Sequence, residues 1–228
     1  MKEHHLNKQT RSRTQNGISK EKLAGKKIVN SWQILQTVVW NAEGLNGTLQ
    51  LVPYDFFHKY DIVCLTETFL MKDWYTQGFY CINNLATQYN IGRPKGGITC
   101  LIKPNLSPFK MEYKSRHILM VRTRLCTIIC AYFQPELTAE DIIEELDEAM
   151  SKTSKSDQIL LAGDLNCRID IPSKKTNLVI EHLEEEGCHM INTSSENTYV
   201  GPNGTSTINL VFINDGLKEI SQSVLSNV

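Results

Sequence analysis

The chain has 228 residues, 41% of them apolar and 21% charged, with a formal net charge of -1. That length allows one domain with a sizeable core, and the balance of residue types excludes a disordered or fibrous chain. No apolar run approaches the roughly 18 residues that a membrane-spanning helix needs, so no membrane partner is expected.

The charge is unevenly spread. Residues 1–27 carry eight Lys or Arg against two Glu, which leaves an acidic body behind a basic start. Residues 1–30 read as a basic arm that either touches phosphates or is solvated without a partner, and residues 31–228 as the folded domain. An acidic body suits a site that holds a cation. The seven cysteines are odd in number, lie in apolar stretches and show no C-x-x-C spacing, so neither a disulfide framework nor a zinc site is suggested. With no apolar segment of the signal-peptide kind at the start, the expected location is the nucleus or cytoplasm and not the secretory route.

Short runs rich in Val, Ile, Leu, Cys and Tyr, bounded by Gly, Pro, Asn and Asp, predict strands. In chain order they are Gln33–Trp40, Asp61–Thr66, Gly97–Ile102, Ile118–Thr123, Cys126–Phe133, Gln158–Ala162 and Thr207–Ile213. A helix is expected near Thr48–Lys59, weakened by Pro53, which has no N–H to donate. A second follows Thr138, where Asp141 three residues on completes a capping-box pattern and Ile142, Ile143, Leu146 and Met150 share a face. The third is Asn177–Glu186, with Leu178, Val179 and Leu183 inward and Gly187 as its stop. Many strands, few helices and no strict βαβ repeat predict a mixed α/β fold of two sheets packed face to face with helices outside.

The chemistry gathers at strand ends. In QILLAGDLNCR an apolar run leads through Gly163 to Asp164 and Asn166, whose shared parity would place both on one side of an extended backbone. A carboxylate can hold a cation or orient a water, and an amide donates to a phosphate oxygen without adding charge. Three other apolar strands end in Asn41, Glu67 and Tyr132. Singly, each has a plainer reading as a turn residue, a solvated charge or a core aromatic, and Asp164 as a helix cap. Four together favour a shared site.

These residues lie in WNAEGL (40–45), DIVCLTET (61–68), GRPKGGI (92–98), CAYFQP (130–135), GDLNCR (163–168) and TSTINLVF (205–212). In order and spacing the six segments resemble the endonuclease/exonuclease/phosphatase superfamily over residues 33–228, and most nearly the endonuclease domain of non-LTR (LINE-type) retrotransposons. The resemblance implies a four-layer αββα sandwich of two mixed sheets flanked by helices. It also implies cleavage of DNA phosphodiesters with Mg²⁺ or Mn²⁺, and a reverse transcriptase downstream in an intact parent. It assigns Glu67 as metal ligand with Asn41 beside it, Asp164 to the attacking water, and Asn166 and Tyr132 to the scissile phosphate. Thr198 matches a substrate-backbone contact, and Arg93 and Lys95 lie where a loop could meet DNA, although exposed loop charges are ordinary without function.

The pattern departs from the family at two places. Its S-x-I-D motif is Ser206-Thr207-Ile208-Asn209 here, and an amide cannot supply the charge that supports a protonated His. The family's closing S-D-H motif is expected about where the chain ends, at Val228, and none of the six histidines has that context; His117 and His189 are expected at strand edges and His182 on a helix face. A missing last strand with an open sheet edge, and weak or absent catalysis, are therefore expected. Two readings stay open: a DNA endonuclease-type phosphodiesterase, or a retrotransposon-derived chain that binds nucleic acid without cutting it. Use of the fold on a lipid or an mRNA tail is disfavoured by the GRPKGGI loop.

Overall fold

The computed structural model describes residues 34–50, 52–53, 55–88, 92–192, 197–201 and 204–218. The basic arm expected over residues 1–30, and Gln33 at the start of the first expected strand, lie outside them. From Leu35 onward the described residues form one compact unit.

Two mixed sheets make its centre. The smaller holds β1 (Thr37–Asn41), β2 (Ile62–Thr66), β4 (Ile98–Ile102) and β3 (Tyr80–Asn84) in the order β1-β2-β4-β3, with only β1 and β2 parallel. The larger runs β5-β6-β7-β8-β12-β9, built from β5 (Phe109–Lys110), β6 (Ile118–Arg122), β7 (Thr127–Tyr132), β8 (Ile159–Asp164), β12 (Asn209–Asn214) and β9 (Cys188–Met190). Within it β7 and β8 are parallel and the other pairs antiparallel. A separate hairpin joins β10 (Tyr199–Gly201) to β11 (Gly204–Ser206).

Alternation explains why the predicted strands read as unbroken apolar runs. On β7, Ile128, Cys130 and Tyr132 face the other sheet, while Ile129 and Ala131 face the helices. On β2, Ile62 and Cys64 point between the sheets, and Val63 and Leu65 point to the opposite side. Both faces of these central strands are covered, so both side-chain sets are apolar. Each of the seven predicted strands is found, with no end moved by more than four residues.

The capping box at Thr138 forms: its hydroxyl accepts from the Asp141 N–H at 3.1 Å and its own N–H donates back to Asp141 at 3.0 Å. The helix it starts, Ala139–Ser151, buries Ile142 and Leu146. The next helix is Lys174–Glu185, three residues earlier than expected because the Ser173 hydroxyl caps it by accepting from the Thr176 N–H. Gly187 stops it with a φ of 76°, a conformation open to glycine. The two helices cover the outer face of the larger sheet.

The expected helix near Thr48–Lys59 is corrected. In its place stand a single α-turn, Leu45–Thr48, and a 3-10 turn, Phe56–Lys59, on either side of Pro53. Their Leu45, Phe56 and Phe57 still cover the outer face of the smaller sheet, where Trp40 packs edge-on to Phe56 at 5.6 Å. The layers are therefore helix, sheet, sheet and short helical turns. Five strands carried no sequence expectation: β3, β5, β9, β10 and β11, which are short or rich in polar residues.

Candidate active site

The ladder of the larger sheet sets the first row of the site. Tyr132 ends β7 and pairs with Asp164, which ends β8, and Asp164 pairs in turn with Asn209 at the start of β12. Tyr132 shares the face of Cys130, Asp164 that of Ala162, and Asn209 that of Val211, all toward the smaller sheet. From that sheet come Asn41 at the end of β1 and Glu67 just past β2.

Asn41 ties the two halves together. Its side-chain N–H₂ donates to Asp164 Oδ2 at 2.8 Å and to Glu67 Oε1 at 3.2 Å, while its Oδ1 accepts from the Glu43 N–H. Two carboxylates thus converge on one amide. Asp164 is 1% exposed, and burial pushes its carboxyl from the usual 3.8 up to about 7, against the lowering bonds from Asn166 and Asn41. Burial, with the charge of Glu67 next, also pushes the Tyr132 hydroxyl up, so it remains a neutral donor. The loops hold unusual backbone: Glu43, Glu67, Phe69 and Asn166 all have φ between 44° and 54°. Left-handed conformations at non-glycine residues cost energy and persist where the surroundings over-determine them, as they do at functional sites.

Gly163 shows how tightly Asp164 is delivered. A Cβ built there would lie 1.8 Å from the Ala131 carbonyl oxygen, so the approach of β8 to β7 admits only glycine.

The parity expected for Asp164 and Asn166 is corrected, because Asn166 is not extended. Its left-handed turn lets its backbone N–H donate to Asp164 Oδ1 at 3.0 Å, and its side-chain N–H₂ donates to the Phe133 carbonyl at 2.8 Å. Asn166 therefore braces Asp164 and the end of β7. Thr198 uses its hydroxyl to accept from the Ile208 and Asn209 N–H groups, both at 3.0 Å. Asn209 donates its side-chain N–H₂ to the Thr198 carbonyl, and its buried Oδ1 has no partner among the described residues.

In the 92–98 loop, Arg93 lies over the Phe69 ring at 4.8 Å, and Lys95 forms a backbone bridge with Thr87. A shallow depression beside Tyr132 is lined by Lys95, Gly96, Arg116, His117 and Gln134. Arg116 carried no expectation from the sequence; its position two residues before β6, near the end of β7, was the available signal. His117 is buried outside the strand proper, with Nδ1 2.8 Å from Glu145 and Nε2 accepting from Arg116. His182 lies on a helix and contacts Asp147, and His189 on the edge strand β9 contacts Asp215. His4 and His5 lie outside the described residues.

Two carboxylates, an amide oxygen and a hydroxyl at one rim form an all-oxygen donor set that suits a hard divalent cation. The buried charge of Asp164, unmatched by any Lys or Arg bond among the residues described, is the feature such an ion would neutralise.

Residues 126–227 match the model of the endonuclease-reverse transcriptase family. No curated protein matches the sequence. Among solved structures the chain is similar to the endonuclease domain of TRAS1, a telomere-specific non-LTR retrotransposon, with 18% identity, a TM-score of 0.62, and 80% of this chain and 86% of that one covered. It is similar also to an AP endonuclease from Archaeoglobus fulgidus (12%, TM-score 0.62, 79% and 87%) and to the 3' phosphatase NExo from Neisseria bound to product DNA hairpin (13%, TM-score 0.58, 80% and 87%). At these identities the likeness is one of fold, and the family match makes the chain similar to the endonuclease-reverse transcriptase family over residues 126–227.

Proposed function

We propose that this chain is a divalent-metal-dependent phosphodiester hydrolase of the DNA endonuclease type, of the kind that non-LTR retrotransposons encode beside a reverse transcriptase. The observation that carries the reading is the convergence of Glu67 and buried Asp164 on Asn41 at the meeting ends of two sheets. Mg²⁺ or Mn²⁺ held by Glu67, with Asn41 alongside, would supply positive charge against the phosphate oxygens. Asp164, with a carboxyl near 7, is matched to taking a proton from water at neutral pH. Tyr132 offers an uncharged O–H to a phosphate oxygen, and Asn166 keeps Asp164 aimed. Arg93, Lys95 and Arg116, on the same rim, suit the flanking backbone of DNA.

One observation favours a second reading, binding of nucleic acid without cleavage. Asn209 stands beside Asp164 as a neutral amide with an unpartnered oxygen, where the family motif has an acid. The proposal therefore includes reduced turnover. Incubating supercoiled plasmid with the folded protein in Mg²⁺ and in chelator tests it. Mg²⁺-dependent nicking that disappears in Asp164→Ala supports hydrolysis; plasmid retention on a gel with no nicking at any enzyme concentration supports binding alone.

A further inference from the structure

Three cysteines meet at the middle of the sandwich, away from the residues assigned to hydrolysis. Cys64 on β2 and Cys100 on β4 are direct antiparallel partners, and Cys130 on β7 reaches them from the opposite sheet. All three are 0% exposed, and their sulfurs lie within 4.8 Å of one another. Three sulfurs about 2.3 Å from an ion at the apex of a three-sided pyramid would stand about 3.5 Å apart, so the cluster needs only a small inward closing to form a three-coordinate sulfur site.

The surroundings choose the ion. Ile62, Ile98, Ile102, Leu119, Ile128 and Ala162 share this core, and among the described residues the one buried Asp, Glu, Lys or Arg is Asp164, at the rim. A charged complex in such a core costs heavily, since nothing offsets its desolvation. Zinc with three thiolates would carry a net negative charge and lack its usual fourth ligand, because water is excluded. A trivalent ion with three thiolates is neutral. From this geometry we infer that Cys64, Cys100 and Cys130 form a binding site for a thiophilic trivalent metalloid of the arsenic(III) class, held by three sulfurs between the two sheets.

The chemistry balances without an oxidant. Arsenous acid enters as the uncharged trihydroxide; three arsenic–oxygen bonds break and three arsenic–sulfur bonds form. Each thiol proton leaves with a hydroxide as water, and arsenic stays trivalent. Neutral reactants give a neutral complex, which suits the apolar interior. Cys130 lies two residues before Tyr132 on the same face, about 6.6 Å along the strand. An ion here would cross-link the sheets directly beneath the strand ends that carry Tyr132 and Glu67. The site stands on its own observations, whatever the rim catalyses.

The test uses the full reduced chain in oxygen-free buffer with graded arsenite, followed by desalting, arsenic quantification, X-ray absorption and thermal melting. The expected result is one arsenic retained per chain, three sulfur neighbours, and a melting temperature raised by about 5 to 10 °C at a hundredfold excess over Kd. Retention is lost in Cys130→Ala and kept in Cys188→Ala, whose thiol lies in the other core. No retained arsenic, fewer than three sulfur neighbours, retention unaffected by Cys130→Ala, or tighter retention of zinc under the same conditions each overturns the inference. The sulfur count on the unsubstituted chain decides the matter even where Cys130→Ala does not fold.

Discussion

Asp164→Asn keeps the shape of the side chain and removes its charge, which turns the burial of that carboxyl into a measurable stability. In the folded chain the carboxyl sits at about 7 in place of 3.8. A raised carboxyl favours the folded state fully below pH 3.8, and that advantage is lost as pH rises through 7. At about 1.4 kcal/mol per pH unit, ionised Asp164 costs the fold about 4 kcal/mol above pH 7. Asparagine escapes the cost but has one acceptor oxygen, so it cannot keep both the Asn166 and the Asn41 bonds, a loss of about 1 kcal/mol. The variant should be about 1 kcal/mol less stable than the parent near pH 3 and about 3 kcal/mol more stable at pH 8, with a crossover at about pH 4.5. Urea unfolding followed by tryptophan fluorescence, in chelator and in half-unit pH steps, measures the difference directly. A difference that stays constant with pH, or that falls as pH rises, refutes the assignment of a buried, uncompensated charge to Asp164.

Gly163→Ala forces a Cβ into the Ala131 carbonyl and should cost about 3 kcal/mol or more, read as a lowered urea midpoint. Thr138→Ala removes the hydroxyl of the capping box and should cost about 1 kcal/mol by the same measurement, without changing DNA affinity. Asn209→Asp places a second carboxyl opposite Asp164 across the β8–β12 ladder; the pH at which stability falls should move upward, and an unchanged pH profile would show that the two side chains do not interact.

The central strands were legible because both of their faces are buried, which makes Ile62–Thr66, Thr127–Tyr132 and Ile159–Asp164 continuous apolar runs. Tyr80–Asn84 was not, because its two asparagines serve long-range bonds: Asn83 accepts from the Thr99 hydroxyl, and Asn84 donates to the Ser115 carbonyl at 2.6 Å. Nothing local announces such partners. Pro53 was read as weakening a helix; it separates two short turns. At the rim, Asn41, Glu67, Tyr132 and Asp164 could be found as polar ends of apolar strands, since strand direction and parity bring such ends together. The true setting of Asn166 could not, because it depends on one left-handed residue. The cysteine cluster was equally hidden. Its members come from three strands 30 or more positions apart, so no short spacing motif reports them.

Calorimetric titration of Mg²⁺ into the chain at pH 6 and pH 8, beside Glu67→Gln, tests most directly whether the Asn41–Glu67–Asp164 rim is a metal site. One saturable site is expected, tighter at pH 8 as Asp164 ionises beside it and lost in Glu67→Gln. Binding that is equal at both pH values and untouched by Glu67→Gln would contradict it.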